Sequence, residues 1–120
     1  MSVTYQKGQK DNRPWGMWEV IETGSEFIVK KITVFPHQQL SLQLHHYRSE
    51  HWIIVQGTGT VTVQEKTFEA PQNTAIFIPV EAIHRMSNET DEPVIFIEVQ
   101  AGKTLDEEDI VCLEDSYNRV

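Results

Sequence analysis

The sequence consists largely of short segments rich in Val, Ile, Thr and Phe, separated by turn residues. No segment carries apolar residues at the 3.6-residue spacing of a helix, so this pattern favours β-strands. We predict strands over residues 27–35, 40–45, 51–55, 60–63, 75–78 and 94–99. Regularly spaced short strands indicate an all-β fold, an antiparallel sandwich or barrel.

The connections between these strands suggest local structure. Pro36 and Pro79 each end a strand, and the Gly57-Thr58-Gly59 turn is typical of a hairpin between its flanking strands. Helix is expected only as a turn within residues 105–110. The acidic run at 106–109 is expected to be a solvated turn.

The chain length fits a single domain. Its 120 residues lie near the commonest domain size, and we expect a polar N-terminal arm over residues 1–12 and one domain over 13–120. The beginning of the chain has no apolar segment typical of a signal peptide, and no stretch approaches the ~20 apolar residues of a membrane span. We therefore expect the protein in the cytoplasm, without a membrane partner.

Composition narrows the possible sites. The single cysteine, Cys112, excludes an internal disulfide and a Cys-rich zinc site, so a metal must use His, carboxylate or amide ligands. Lys and Arg total 10 against 18 Asp and Glu, a formal charge of −8. This charge argues against nucleic acid or an anionic membrane as partner, because both require a positive surface.

A candidate metal site emerges from strand periodicity. Alternation places Gln43 and His45 together on the polar face of one strand, and Glu50 shares a side with Arg48. His84 comes from a distant strand. Gln43, His45, Glu50 and His84 would suit one divalent ion such as zinc, manganese, iron or cobalt, with open positions typical of a catalytic site. For any one of these histidines, an ordinary core or surface role remains the alternative.

The same residues resemble the two motifs of the cupin superfamily. Residues 43–57 resemble the first motif, with Gln43 in place of its first histidine, followed by His45, Glu50 and Gly57. Residues 79–88 resemble the second motif, which here contains Pro79, His84 and Asn88. The resemblance implies the double-stranded β-helix, a jelly-roll barrel.

Longer segments resemble one cupin family, the type II mannose-6-phosphate isomerase domain. The resemblance covers roughly residues 13–119 and is carried by Arg13-Pro14-Trp15-Gly16, Leu40-Ser41-Leu42-Gln43, Arg48-Ser49-Glu50-His51-Trp52, Ile78-Pro79, His84-Arg85, Ile97-Glu98-Val99-Gln100, Glu108-Asp109-Ile110, and Glu114-Asp115 with Tyr117 and Arg119. That domain is commonly the C-terminal part of a bifunctional enzyme with mannose-1-phosphate guanylyltransferase. This chain lacks the other half, so guanylyl transfer is not expected.

The resemblance implies a metal-dependent interconversion of mannose 6-phosphate and fructose 6-phosphate. The metal would hold the oxygens on C1 and C2, with Glu50 as the one carboxylate offsetting its charge. Arg48 is the residue expected to stabilise the enediolate or orient the substrate. The general base stays open among His51, His46 and a metal-bound water, with His51 included among the catalytic candidates.

Cationic residues are candidates for the phosphate. Lys30 ranks above Arg85, which has the opposite strand parity to His84, and Lys31 is a further candidate. The three tryptophans are expected to pack in the core or at a subunit interface, and they are Trp15, Trp18 and Trp52.

Several functional questions stay open at this point. Zinc is the expected metal, with manganese, cobalt, iron and nickel as alternatives, and a homodimer with covered edge strands is expected. The resemblance implies a role in carbohydrate metabolism and polysaccharide biosynthesis. Alternatives are a non-catalytic metal- or sugar-binding cupin, an iron oxygenase, or an enzyme acting on another phosphosugar or nucleotide sugar. Gln43 argues against the oxygenase, which would more often use a ligand set without an amide.

Four positions depart from the family pattern. His37 replaces a usual glycine, Glu81 a usual small residue, Thr104 a usual aromatic and Cys112 a usual arginine. None of them is a proposed metal ligand, so the departures bear on the substrate rather than on the metal.

Overall fold

The computed structural model describes residues 5–106 and 108–114. Within them the chain forms strands and turns and contains no helix, so the helical turn predicted within 105–110 is wrong for the residues described there. The strands are β1 (Lys10–Arg13), β2 (Gly16–Thr23), β3 (Phe27–Val34), β4 (Leu42–Leu44), β5 (Ser49–Gln56), β6 (Gly59–Val63), β7 (Lys66–Ala70), β8 (Ala75–Ile78), β9 (His84–Ser87), β10 (Val94–Ala101) and β11 (Val111–Glu114).

The strands form two antiparallel sheets, which confirms the all-β prediction. The larger sheet has the order β1-β2-β3-β10-β5-β8, and the smaller has the order β11-β4-β9-β6-β7. Neighbours such as β3 and β10 are far apart in sequence, as expected when the chain passes repeatedly between two sheets.

The core lies between the sheets and follows the alternation of the strands. In β10, Val94 and Phe96 are fully buried while the residues between and after them are half-buried. Val34, Ile54 and Val61 add fully buried side chains from three other strands. The same alternation carries polar side chains inward where the strands continue beyond the apolar core.

The turn at Gly57 does not close the predicted hairpin. Because β5 belongs to the larger sheet and β6 to the smaller, this turn carries the chain from one sheet to the other. Gly57 has φ +80°, and a Cβ there would lie 2.4 Å from the carbonyl oxygen of Pro93. Glycine is therefore required both by the left-handed backbone and by the close approach.

The N-terminal segment contributes to the larger sheet. Strand β1 pairs with β2, and the expected boundary between residues 12 and 13 falls inside β1. Tyr5 is buried, with its ring edge-on to Trp18 at a centroid distance of 5.7 Å.

Two family departures lie in surface turns with a left-handed backbone. His37 has φ 61° and Glu81 has φ 66°. Each also has a polar partner, since His37 Nε2 lies 2.6 Å from Asp91 Oδ1 and Glu81 Oε2 lies 3.0 Å from His46 Nδ1.

Among residues 5–106 and 108–114, no helix is long and apolar enough to cross a membrane.

Candidate metal centre and its cavity

A cavity of about 280 Å³ opens between the two sheets. The larger sheet contributes inward-facing residues of β2, β3, β5 and β10, and the smaller sheet contributes residues of β4, β9 and β11 and the segments beside them. The volume is close to the lower end of the range for small-molecule sites. Most of the predicted site residues line it: Lys30, Gln43, His45, Arg48, Glu50, His84 and Arg85.

Three predicted metal ligands meet in this cavity. Ligand atoms of His45, Glu50 and His84 all lie within 4.8 Å of one another, and all three residues are buried. Nε2 of His45 lies 3.2 Å from Oε2 of Glu50, and Nε2 of His84 lies 3.8 Å from Oε1 of Glu50. Glu50 and His84 lie in strands of opposite sheets, so the fold itself brings the cluster together.

Backbone carbonyls orient both imidazoles. The Nδ1–H of His45 donates to the carbonyl oxygen of Asp109, and the Nδ1–H of His84 donates to that of Ala82 at 2.9 Å. A carbonyl only accepts, so both rings carry their proton on Nδ1 and direct an unprotonated Nε2 toward Glu50. Metal-binding histidines are commonly held in this way.

The protonation states also suit a metal. Burial, reinforced by the positive charge of Arg48, lowers the pKa of His45 to about 3, and burial lowers the pKa of His84. Burial alone would raise the pKa of Glu50, but hydrogen bonds from Glu98 and Trp52 and the charge of Arg48 hold it below its usual value. The cluster therefore offers two neutral imidazoles and one carboxylate at neutral pH.

Gln43 lies beside this cluster. It is paired directly across from His84 in the smaller sheet and lines the cavity. Its Nε2 donates to Ser41 Oγ at 3.1 Å, so the amide oxygen is the atom that can bind an ion. With this oxygen the donor set fits a divalent cation, and the residues that would hold it are Gln43, His45, Glu50 and His84.

Arg48 is part of the same buried network. Its Nε donates to Glu50 Oε2 at 2.9 Å, and its Nη2 donates to His45 Nε2 at 3.2 Å. The guanidinium therefore contacts two atoms that would bind a metal. A third bond, at 3.5 Å, joins Nη1 to the carbonyl oxygen of Asp106.

A second carboxyl group, on Glu98, lies in the site and was not predicted there. It is hydrogen-bonded to Glu50, and Trp52 Nε1 donates to both residues, at 3.0 Å to Glu50 Oε1 and 3.3 Å to Glu98 Oε1. Burial and the neighbouring charge of Glu50 raise the pKa of Glu98 to about 7. Glu98 is therefore a second carboxyl group beside Glu50, the carboxylate expected to offset the charge of the ion.

Strand parity contained the signal for Glu98. In β10, Phe96 is an obvious core residue, and Glu98 and Gln100 follow it at intervals of two. Both are buried, and Gln100 Nε2 donates to Glu98 Oε2 at 3.2 Å. Gln100 Oε1 is buried without a hydrogen-bond partner in the structure, which leaves an acceptor at the cavity wall.

Cations line the part of the cavity formed by the larger sheet. Lys30 is buried, and its Nζ lies 3.9 Å from the ring centroid of Tyr5 and 4.4 Å from that of Trp18. Arg13, which was not among the predicted site residues, also lines the cavity and pairs with Asp11 at 3.0 Å.

The three tryptophans are buried, as expected, and they also line the cavity: Trp15, Trp18 and Trp52.

Arg85 lines the cavity but is engaged in structural bonds. Its Nε donates to the carbonyl oxygen of Leu40 at 3.0 Å, and its Nη1 donates to Glu114 Oε1 at 3.0 Å. Cys112 also lines the cavity, with Sγ 3.5 Å from Ser41 Oγ. One departure from the family pattern thus reaches the site.

Three candidates from the sequence lie away from the cavity. His51 is exposed on the outer face of β5, because its neighbour Glu50 points inward, and its ring lies 4.7 Å from that of Phe77. Lys31 is exposed on the outer face of β3 in the same way. His46 is exposed and pairs with Glu81. The structure therefore does not bring His51, His46 or Lys31 to the metal cluster.

The acidic run contributes a buried residue instead of a fully solvated turn. The Asp109 carboxylate accepts bonds from the backbone N–H groups of His46, at 2.8 Å, and Tyr47, at 3.0 Å. Together with its carbonyl bond to His45, Asp109 fixes the turn that presents this ligand. The expectation of a wholly solvated segment is wrong for Asp109, whereas Glu107 lies outside the described residues.

Comparison with known proteins assigns the family. The model of the mannose-6-phosphate isomerase C-terminal family matches residues 2–115. The chain belongs to this family. It is 49% identical over 107 residues to the alginate biosynthesis protein AlgA of Pseudomonas aeruginosa, with 89% of this chain and 22% of AlgA covered.

Two further relatives show the same partial coverage. The xanthan biosynthesis protein XanB of Xanthomonas campestris is 47% identical, covering 92% of this chain and 24% of XanB. The mannose-1-phosphate guanylyltransferase ManC of Salmonella typhimurium is 44% identical, covering 90% of this chain and 22% of ManC. The chain thus spans less than a quarter of the length of these curated relatives.

Solved structures confirm the double-stranded β-helix. Lactobacillus farciminis oxalate decarboxylase superposes with a TM-score of 0.76 at 23% identity, covering 88% of this chain and 33% of that one. A Klebsiella pneumoniae protein with a double-stranded β-helix domain gives 0.71 at 16% identity, covering 95% and 92%. At these identities the likeness extends to the fold alone.

Proposed function

We propose that this protein is a metal-dependent isomerase that interconverts mannose 6-phosphate and fructose 6-phosphate. The observation that carries the proposal is the buried cluster of His45, Glu50 and His84, which opens into a cavity that also contains Arg48 and Lys30. Membership of the mannose-6-phosphate isomerase C-terminal family supports this reaction.

The ligand set suits an isomerase. When bound, the ion would act as a Lewis acid toward the oxygens on C1 and C2 of the sugar. Arg48 would stabilise the negative charge that develops on these oxygens, since its guanidinium already lies against the proposed ligands His45 and Glu50.

Glu98 is the residue proposed to move the proton between C2 and C1. Of the earlier candidates, His51 and His46 lie outside the cavity, whereas the Glu98 carboxyl lines it. With a pKa of about 7 in the metal-free protein, this carboxyl can take up a proton and return it near neutral pH. Glu98 would take the proton from C2 and deliver it to C1, while the hydroxyl proton on O2 passes to O1 as the carbonyl moves from C1 to C2.

Lys30 and Arg13 are the proposed phosphate-binding residues. Lys30 lies against two aromatic rings, which hold its ammonium at the cavity wall. Arg85, the other candidate, donates to the backbone carbonyl of Leu40 and to Glu114, so it is the weaker choice for this role. Arg13 also has a partner, Asp11, but that ion pair joins two partly exposed side chains and contributes little.

The proposal also covers the identity of the ion, the cellular compartment, the assembly and the metabolic role. Zinc is the first choice, and manganese, cobalt, iron and nickel are alternatives, because the donor set does not select among them. The proposed compartment is the cytoplasm, and the proposed assembly is a homodimer. A role in carbohydrate metabolism is supported by relatives whose names refer to alginate and xanthan biosynthesis.

The decisive experiment combines metal analysis with an activity assay. The purified protein is stripped with a chelator, reloaded with zinc, cobalt or manganese, and assayed for fructose 6-phosphate formation from mannose 6-phosphate. We expect turnover that disappears on stripping and returns on reloading. Absence of turnover in all three metal forms would refute the isomerase and favour a non-catalytic cupin. Turnover of another phosphosugar or nucleotide sugar in its place would change the substrate.

The ligand assignment is tested by separate variants. Gln43→Ala and His45→Ala are each expected to abolish stoichiometric metal binding, because each removes a donor from a buried site. His37→Ala is the matched control, since His37 is an exposed histidine in a surface turn. Stoichiometric metal in both ligand variants would refute the assignment.

A further inference from the structure

The amide of Gln100 has its donor in use and its acceptor unpaired. Gln100 is fully buried in β10 and lines the cavity. Its Nε2 donates to Glu98 Oε2 at 3.2 Å, so one end of the amide is held by the neighbouring inward-facing residue. No donor among residues 5–106 and 108–114 bonds to Gln100 Oε1, although this oxygen is buried.

An unpaired buried acceptor is uncommon in a folded protein. Nearly all buried polar groups have a hydrogen-bond partner, because an unpaired group has lost its bonds to water without replacement. The bond to Glu98 accounts for the NH₂ group of the amide but not for its oxygen. A donor that arrives with a ligand would account for both ends of the amide.

The neighbours of Gln100 in the larger sheet do not supply this donor. On one side Gln100 pairs with Ile28 of β3, which is apolar, and on the other side with Glu50 of β5. Glu50 is the ionised carboxylate of the site, so its oxygens only accept. The nearby indole N–H of Trp52 is already directed at Glu50. The donor therefore has to come from the contents of the cavity.

The strand order places Gln100 between the two ends of the proposed substrate site. Glu50 of the metal cluster lies on β5 and Lys30 lies on β3, and β10 runs between these two strands. Two strand spacings separate β3 from β5, or about 10 Å. The Lys30 ammonium lies against Trp18 of β2, on the side away from the metal cluster. A six-carbon sugar phosphate that spans the two ends would carry its central carbons past β10.

The central carbons are the part of such a substrate that offers suitable donors. Each carries a hydroxyl group, which can donate one hydrogen bond. The phosphate is largely ionised at neutral pH and presents acceptor oxygens, which suit Lys30 and not an amide oxygen. The oxygens on C1 and C2 would be held by the metal. An acceptor on β10 therefore complements a hydroxyl group in the middle of the sugar.

We propose that Gln100 is a specificity-determining residue, whose amide oxygen accepts a hydrogen bond from the hydroxyl group on one of the two central carbons of the sugar phosphate. The inference rests on the proposed function for the direction in which the substrate lies. It adds the feature that the substrate must carry in its middle. A ligand without this hydroxyl would leave the buried oxygen unpaired and would be rejected for that reason.

The test is calorimetric titration of the zinc-reconstituted full chain with mannitol 1-phosphate. This open-chain alcohol carries the hydroxyl groups of mannose 6-phosphate but cannot isomerise, so binding is measured without turnover. Gln100→Met keeps the approximate shape of the side chain and removes its acceptor, and we expect it to bind roughly 10- to 100-fold more weakly than the wild type. Gln72→Met is the matched control, because Gln72 is an exposed glutamine outside the cavity, and it should bind as the wild type does.

Two deoxy forms of mannitol 1-phosphate, each without the hydroxyl on one central carbon, separate direct recognition from an effect transmitted through Glu98. The wild type should bind one of these forms roughly 10- to 100-fold more weakly than the parent compound. Gln100→Met should bind that form and the parent with equal affinity, because the partner of the hydroxyl is already absent. A loss in Gln100→Met that is the same for the parent and both deoxy forms would overturn the inference, since the amide would then act through the protein alone.

The wild-type titrations decide the inference even if Gln100→Met fails to fold, which circular dichroism and zinc content would reveal. Equal binding of the parent and both deoxy forms, or no binding of any of them, would overturn it. The isomerase assay is a separate measurement. Turnover of mannose 6-phosphate by a protein that ignores the central hydroxyls would refute the role of Gln100 and leave the proposed function intact. Discrimination without turnover would support the role of Gln100 in a non-catalytic sugar-binding cupin.

Discussion

The carboxyl groups of Glu50 and Glu98 are hydrogen-bonded to each other inside the cavity, and one indole, that of Trp52, donates to both. Two ionised carboxylates in such contact repel each other, so one of the two groups is favoured in the protonated form. The hydrogen bonds and the charge of Arg48 assign the ionised form to Glu50. Glu98 is left as the group that holds the proton.

This division of roles predicts the effect of Glu98→Gln on activity. The amide has nearly the same shape but cannot transfer the proton, so we expect kcat to fall roughly 10²- to 10⁴-fold. Stoichiometric metal binding should persist, since Glu98 is not among the proposed ligands. The coupled isomerase assay and metal analysis measure the two effects. Full activity of Glu98→Gln would exclude it as the proton carrier.

The same carboxyl group predicts how the stability of the metal-free protein depends on pH. The pKa of Glu98 rises from 4.5 to about 7 on folding, so between these values the folded state holds a proton that the unfolded state has lost. The stabilisation is therefore present below pH 4.5 and is lost as the pH rises through 7, by about 1.4 kcal/mol per pH unit.

Urea unfolding of the chelated wild type and of Glu98→Gln at several pH values isolates this contribution. His45, with a pKa lowered to about 3, has the opposite effect, because its neutral form loses stability as the pH falls below 6.5. That effect is common to both proteins and cancels in their difference. We expect the stability of the wild type relative to the variant to fall between pH 5 and 7. A constant difference would contradict the shifted pKa.

Most of the proposed metal ligands could be predicted from the sequence, but the residues around them could be predicted only in part. Motif spacing located His45, Glu50 and His84 because each stands at a fixed place in a recognisable pattern. Glu98 followed from simple alternation after Phe96 and was overlooked because a carboxylate in a strand is ordinarily exposed.

Other features of the structure depend on distant pairing. Strand β9 is mostly polar and β2 mixes charged and aromatic residues, so neither shows the apolar pattern that located β3 or β10. The turn at Gly57 could not be assigned to a sheet crossing, since a hairpin and a crossing begin with similar turn residues. Asp109 is buried by contacts with a turn more than sixty residues earlier, which local sequence does not reveal.

Asp109 predicts an indirect effect on metal affinity. Its carboxylate holds the N–H groups of His46 and Tyr47, so Asp109→Ala should loosen the turn that presents His45. We expect metal affinity to fall roughly 10- to 100-fold, the usual effect of losing an outer support. Asp109→Asn, which keeps one acceptor oxygen, should lose less. Calorimetric titration of the chelated protein measures the change.

The control for this prediction is Glu108→Ala. Glu108 is the neighbouring acidic residue and is exposed, so its removal changes the local charge without removing a bond to the turn at residues 45–47. Equal losses in Glu108→Ala and Asp109→Ala would attribute the effect to charge and not to positioning.

We expect substitution of Arg48 to lower activity without removing the metal. Arg48→Ala removes the charge beside Glu50 but leaves every proposed ligand in place, so the metal should remain bound while kcat falls, by roughly 10²-fold or more. Arg48→Lys should restore only part of the rate, because an ammonium cannot make the same paired bonds. An Arg48→Ala variant with full activity would remove this residue from the mechanism.

We expect replacement of Cys112 by arginine to increase the affinity for the phosphorylated substrate. It lines the cavity at a position where the family usually has arginine, beside Ser41. Cys112→Arg would add a cation to the cavity that also contains the proposed phosphate-binding residues, so we expect KM for mannose 6-phosphate to fall several-fold with kcat little changed. Cys112→Ser, which alters the side chain without adding charge, is the control and should leave KM near the wild-type value. A fall in KM that is equal for the neutral substrate mannose would show that the gain does not come from the phosphate.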